Sequence, residues 1–303
     1  MPPVCWGRPD RSPAVGSASR GYTPPVPAAG IAENLAFINW TVLTGLAIGS
    51  YAVAVLARWR TDATRGYLAF TTICAIGFGV LAWLSDGALP ATLGQSPVTT
   101  DPAFDAPRRI ALLAFCGLAL AGLVVGRFGG PGRIVGLGAF GAGLLVLVFG
   151  ALAWGGDPFG AVPLLVQLAV LSAATGGVFA AMILGHWYLV TPKLSEGPLI
   201  LVSRLLLGVV SVQVLLFVAW LATGSGPAGI EPFAALVGPW ALFVWLRLIV
   251  GLVFPLIVSW AALQTARSRS MESATGLLYI NVGSIAAGTI LAAGLYFGAG
   301  VLV

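Results

Sequence analysis

Long apolar runs, each close to the thickness of a bilayer, dominate the pattern of residues along the chain. A helix needs about 20 predominantly apolar residues to cross the hydrocarbon core. The runs predict eight helices, from about Asn34 to Ala57, Gly66 to Leu84, Ile110 to Gly126, Ile134 to Trp154, Val162 to Val190, Leu199 to Ala222, Phe233 to Ala266 and Thr275 to Val301. The runs are too long for membrane strands and do not alternate. We therefore expect an all-α integral membrane protein with about eight transmembrane helices.

The N-terminal segment has a different composition from the rest of the chain. Residues 1–30 are rich in Pro, Ser, Gly and Arg and have neither an apolar period nor the apolar core of a signal peptide. This composition predicts a disordered tail. Two origins stay open, a natural tail and upstream sequence read from a misassigned start. Residues 31–303 are predicted to form one polytopic transmembrane helical domain.

Charged residues divide the predicted loops into two sets. One set holds Arg58, Arg60, Arg65, Arg127, Arg133, Lys193, Arg267 and Arg269, and the other holds Asp86, Asp101, Asp105, Asp157 and Glu231, with Arg108 and Arg109 as its only basic residues. Cytoplasmic loops of membrane proteins carry an excess of Lys and Arg. We therefore expect a multi-pass protein of the cell membrane with cytoplasmic basic loops and both termini outside. Three arginines in the tail argue for the opposite orientation.

A weak internal repeat relates the first four predicted helices to the last four. Ala57-Arg-Trp59 parallels Gly185-His-Trp187, and Ala82-Trp-Leu84 parallels Ala219-Trp-Leu221. The match is either chance in an apolar sequence or the sign of two four-helix halves in the same orientation. No motif matches a named family. Two such halves without haem are similar, in topology alone, to the quinol-binding membrane subunits of the polysulfide-reductase type, and topology does not give function.

Composition excludes several classes of protein. Apolar residues make up 58% and charged residues 8%, whereas a soluble domain has about 25% charged residues. The net charge of +5 is scattered over helix ends, which does not indicate nucleic-acid binding. One histidine and three cysteines without metal-binding spacing offer no zinc or di-iron site and no second axial haem ligand. No cofactor and no metal are predicted.

Arg247 is the strongest candidate for a functional residue within a predicted helix. An arginine near the bilayer centre costs at least about 2.5–3.5 kcal/mol on insertion scales, so it has to face the bundle or a wet cavity. Pro239 and Pro255 flank it, and Gly251 lies one turn further on. Three interpretations stay open: an arginine that bonds carbonyls freed by proline, a ligand or ion site, and a misplaced helix boundary.

Three further polar residues are predicted on the cytoplasmic side of the bundle. His186, the only histidine, ends the fifth helix just before a basic loop, while Arg204 and Asn281 lie a few residues inside the sixth and eighth helices. An interfacial histidine, a snorkelling arginine and a helix-bridging asparagine are the alternative interpretations. If the last four helices form one bundle, we expect His186, Arg204, Arg247 and Asn281 to line a ligand-binding pocket.

The leading functional hypothesis is a cofactor-free membrane subunit or anchor. It would bind a quinone-like or lipid-like ligand in the cytoplasmic half, because arginines without a buried acid attract anions and electron-rich oxygens. Membrane lipid and other subunits of a membrane complex are the expected partners, and nucleic acid is not. A small-anion transporter and a purely structural membrane subunit are the alternatives. No catalytic residue is predicted, and the sequence does not decide whether the protein is an enzyme.

Overall fold

The structure is a computed structural model that describes residues 27–94, 96–191 and 194–303. Ten α-helices occur in this part of the chain: α1 Pro27–Glu33, α2 Leu35–Arg60, α3 Arg65–Asp86, α4 Asp105–Arg127, α5 Gly132–Trp154, α6 Pro158–Val190, α7 Gly197–Thr223, α8 Ala241–Leu248, α9 Phe254–Arg267 and α10 Met271–Ala299. A π-helical turn, Ile249–Val253, joins α8 to α9. The described ranges contain no strand.

Eight of the helical segments are long and apolar enough to span a membrane. They are α2 to α7, the continuous α8–α9 segment Ala241–Arg267, and α10. The prediction of an all-α chain with eight membrane-spanning helices is thus confirmed. The predicted disordered tail lies outside the described residues except at its end, where α1 begins at Pro27. Lys193 of the predicted basic loops also lies outside them.

The spanning helices pack as two groups of four. Helices α2, α3, α4 and α5 form one closed ring, and α6, α7, α8–α9 and α10 form the second. The first helix of each ring, α2 and α6, makes the main contact between the rings. Gly49 and Gly176 bring the two backbones so close that a Cβ on either would overlap the other helix. Small residues permit this approach in lipid, and the packing agrees with the predicted two-half organisation.

The two ends of the bundle are named here by their charge. The basic end is the one at which α2, α4, α6 and α9 finish, and the acidic end is the one at which α3, α5, α7 and α10 finish. Arg58, Arg60, Arg127 and Arg267 lie in the last turns of helices at the basic end. Asp101 and Asp157 cap helical turns at the acidic end.

Two predicted boundaries were wrong. The helix expected from Phe233 to Ala266 begins only at Ala241, because Phe233 has a φ of 60° and the chain turns before Pro239. The loop expected from Ser85 to Pro107 is shorter, because α3 extends to Asp86 and α4 starts at Asp105. Asp86 and Arg108 were placed in or beside the loop because they are charged. They form an ion pair, which allows both to be buried at the ends of α3 and α4.

Candidate functional site

The guanidinium of Arg247 lies close to the middle of its membrane-spanning segment. Arg247 is in α8 and only 2% exposed. Its Nη1 donates to the carbonyl oxygen of Gly251 at 3.1 Å, one turn further towards the basic end. Gly251 is about 15 Å from the start of the segment at 1.5 Å per residue, and the middle of Ala241–Arg267 is Phe254. The charge therefore sits in the region where a bilayer is most apolar.

Local sequence explains why the guanidinium finds an acceptor at this depth. Pro255 has no N–H, so the carbonyl of Gly251, four residues earlier, lacks its α-helical donor. Here the helix widens into the π-helical turn, a feature frequently found at functional sites. The hydrogen bond from Arg247 occupies the freed carbonyl. This contact agrees with one of the three open interpretations, that of an arginine that bonds a carbonyl freed by proline.

Two glycines make room for the guanidinium. A Cβ on Gly288 of α10 would lie 2.8 Å from Nη1 of Arg247 and 2.6 Å from the Cα of Gly251. A Cβ on Gly251 would lie 3.1 Å from the same Nη1. The contact between the π-helical turn and α10 is thus built without side chains at the level of the charge, and any side chain added there would displace the arginine.

Gln213 extends this site from α8 to α7 and α6. Nη2 of Arg247 donates to Oε1 of Gln213 at 3.3 Å, and Nε2 of Gln213 donates to the carbonyl of Val170 in α6 at 2.9 Å. Nε of Arg247 has no acceptor among the described residues. Gln167, one turn before Val170, is 2% exposed, and both polar atoms of its side chain lack a described partner. The Arg247 site therefore holds one unused donor, Nε, and Gln167 is a further buried polar side chain on α6 without a described partner.

A second buried arginine, Arg108, is paired with a carboxylate, in contrast to Arg247. Its Nε and Nη2 donate to the two carboxylate oxygens of Asp86 at 2.6 and 3.2 Å. Trp40 donates to the same carboxylate at 2.8 Å, and Arg108 stacks on Trp154 at 4.7 Å. The ion pair is buried at the acidic end of the first ring. The carboxylate compensates the charge of Arg108, although its Nη1 has no partner among the described residues, and an ion pair of this kind is a packing element.

Arg247 differs from Arg108 because no described carboxylate lies within 4.0 Å of it. Its described partners, the Gly251 carbonyl and the Gln213 amide, are dipoles without net charge. Burying a charge with dipoles alone leaves much of its desolvation uncompensated. A negatively charged or electron-rich oxygen would complete the site.

Asn281 lies on the same helix–helix interface as Arg247, but about 10 Å further towards the basic end at 1.5 Å per residue from Gly288. Its Nδ2 donates to the hydroxyl of Ser259 in α9 at 2.8 Å, and Ser284 donates to its Oδ1 at 3.2 Å. Ser284 is one turn from both Asn281 and Gly288. Asn281, Ser259 and Ser284 therefore form a polar seam between α9 and α10 that ends one turn before Gly288.

His186 and Arg204 are placed elsewhere. Both are exposed on the bundle surface, on α6 and α7 respectively, and neither forms a described hydrogen bond with Arg247 or Asn281. The structure thus brings two of the four predicted residues onto one interface and leaves two on the outside. Sequence reasoning missed Gln167, Asp86 and Arg108. A polar residue inside an apolar run could have indicated Gln167, but nothing local predicted the burial of the ion pair.

The described residues contain no cluster of three or more His, Cys, Asp or Glu side chains that could hold a metal ion. The arrangement at Arg247 is suited to binding an oxygen atom of a ligand by hydrogen bonds. The chain matches no protein-family model, no curated protein and no solved structure.

Proposed function

We propose that this multi-pass membrane protein is a subunit or anchor that binds a quinone-like or lipid-like molecule through Arg247. The observation that carries the proposal is the guanidinium near the middle of the span, 2% exposed and without a described carboxylate partner. A carbonyl oxygen on an apolar body accepts a charged hydrogen bond and enters from the bilayer without an aqueous path.

Depth favours a molecule whose polar oxygen can reach the interior. Lipid phosphates stay in the headgroup region, outside the hydrocarbon core of about 30 Å. A quinone carbonyl or a lipid ester carbonyl can go deeper. The unused Nε of Arg247 is the proposed donor, and the polar seam at Ser284 and Asn281 is the proposed continuation of the site. We also propose that the basic end is cytoplasmic, since its loops carry the Lys and Arg excess.

The test compares variants that change the charge or only the shape of the donor. Arg247→Gln keeps a donor for the Gly251 carbonyl but removes the charge, whereas Arg247→Lys keeps the charge without the planar fork. Organic extracts of equal amounts of folded wild-type protein and variants are compared by mass spectrometry. We expect a quinone or lipid species in the wild type, partial retention in Arg247→Lys and loss in Arg247→Gln.

Arg127→Gln is the matched control, because Arg127 is an exposed arginine in the last turn of α4. It should retain the ligand in full. An identical extract from Arg247→Gln and the wild type, or no bound species in the wild type, refutes the ligand site. Arg247 would then be a packing residue, and the alternative of a purely structural membrane subunit would remain.

A small-anion transporter is the second candidate, favoured by one observation. The uncompensated charge lies at an interrupted helix near the middle of the span, where many transporters with repeated halves bind their substrates. Flux of radioactive chloride, phosphate and acetate into proteoliposomes separates the two candidates. Arg247-dependent uptake supports transport, and the absence of uptake from a preparation that retains a quinone or lipid supports the first proposal.

A further inference from the structure

A surface groove at the basic end lies between the two rings of helices. It has a volume of about 610 Å³ and is lined by Trp59, Arg60, Thr61, Asp62, Gly197 and Leu201. These residues come from the end of α2, the turn that follows it, and the first turns of α7. The groove therefore opens where the apolar surface of the bundle meets its charged end, which is the headgroup level of a membrane-spanning protein.

The lining of this groove contains one basic and one acidic residue, Arg60 and Asp62. Asp62 accepts hydrogen bonds from the hydroxyl of Ser195 at 2.7 and 2.8 Å, and nearby Glu196 is paired with Arg269 at 2.6 Å. Arg60 is exposed and has no carboxylate within 4.0 Å among the described residues. Glu196 is thus neutralised by Arg269, and the Asp62 carboxylate keeps its charge but is held on Ser195. The positive charge of Arg60 remains available, and an excess of positive charge at the groove requires a second arginine.

A second arginine, Arg204, faces the same side of α7. Residues three and seven positions apart share a helix face, so Arg204 continues the face that carries Gly197 and Leu201. It is exposed and lies one turn further into the apolar part of the helix. A long arginine side chain at this depth extends towards the headgroups, in the direction of the groove.

The surface beneath the groove is apolar. Leu205, 42% exposed, follows Leu201 on α7, and Trp59, 52% exposed, borders the groove with its ring under Arg133 at 5.8 Å. Tryptophan at the edge of a spanning segment is typical of the lipid interface. An occupant that combines an anionic head with apolar chains matches this surface better than a free anion does.

We infer that the groove binds an anionic phospholipid, with its phosphate between Arg60 and Arg204 and an acyl chain along Leu201 and Leu205. Arginine binds phosphate through a fork of N–H donors. The site is separate from Arg247, so it stands whether or not the proposed ligand site does. It also gives Arg204 a function that does not require a place inside the bundle.

The experiment measures lipid binding to the delipidated full-length protein by native mass spectrometry. Phosphatidylglycerol, phosphatidylcholine and inorganic phosphate are the three probes. We expect one phosphatidylglycerol to bind at least about five-fold more tightly than phosphatidylcholine, and Arg60→Gln and Arg204→Gln each to weaken phosphatidylglycerol about five-fold. Arg127→Gln removes the same charge at the same end and should bind like the wild type.

A second variant tests the groove without changing its charge. Leu201→Trp fills the space above the apolar surface and should weaken both lipids while the arginines remain. Equal weakening by Arg127→Gln, or equal binding of the two lipids to the wild type, overturns the inference. Inorganic phosphate that competes fully with phosphatidylglycerol at millimolar concentration also overturns it, because the groove then recognises a free anion.

Discussion

Replacing Gly288 by alanine tests the close contact on which the Arg247 site is built. The added Cβ would lie 2.6 Å from the Cα of Gly251, 2.9 Å from its carbonyl oxygen and 2.8 Å from Nη1 of Arg247. The first two atoms belong to the backbone and cannot move alone. The contact between the π-helical turn and α10 therefore has to open, and the guanidinium has to leave the Gly251 carbonyl.

The size of the effect follows from these contacts. Overpacking typically costs about 1–3 kcal/mol, and a lost hydrogen bond to a charged group costs about 1.5–3 kcal/mol. The better helix propensity of alanine returns about 0.8–1 kcal/mol. The free energy of unfolding of Gly288→Ala should thus fall by about 1.5–5 kcal/mol relative to the wild type.

Gly283→Ala in the same helix is the matched control. No atom lies within 4 Å of a Cβ at Gly283, so alanine should leave stability unchanged or raise it by up to about 1 kcal/mol. Unfolding is followed by circular dichroism in mixed micelles with increasing dodecyl sulfate, and bound ligand is extracted from each variant. Equal stability of the two variants would show that the contact between the π-helical turn and α10 is not as close as described, and the reasoning about Arg247 would fail with it.

Three further predictions concern the ion pair, the N-terminal segment and the orientation. Asp86→Ala should destabilise the protein by about 3–5 kcal/mol, because it leaves Arg108 buried without a counter-charge; the midpoint of dodecyl sulfate unfolding measures this, and a change below about 1 kcal/mol would contradict it. Deletion of residues 1–26 should leave membrane insertion and helix content unchanged, and loss of folded protein on expression is the contrary result. In an otherwise cysteine-free variant, an impermeant thiol reagent added outside should label a cysteine at Asp157 but not one at Ser268, and the reverse pattern would overturn the proposed orientation.

Sequence alone determined the class of the protein and most of its helices. Apolar runs near the length of a bilayer leave helices as the structures that satisfy the backbone in lipid. All eight spans could therefore be predicted, and their bounds agree within about five residues except at the start of the seventh, which lies at Ala241 and not at Phe233. The depth of Arg247 and its glycine and proline neighbours also followed from the sequence. Local spacing is sufficient there, because Arg247, Gly251 and Pro255 are one helical turn apart.

Only the tertiary structure decided which polar groups meet and which face outwards. The partners Gln213 and Gly288 of Arg247 come from other helices, and periodicity does not fix how a helix with apolar residues on all sides is rotated in a bundle. For the same reason Arg204 was predicted inside but is exposed. Asp86 and Arg108 were predicted in loops but are buried. Their mutual contact at 2.6 Å makes the burial of two charges possible. Pairing between residues of separate helices cannot be predicted from either helix alone.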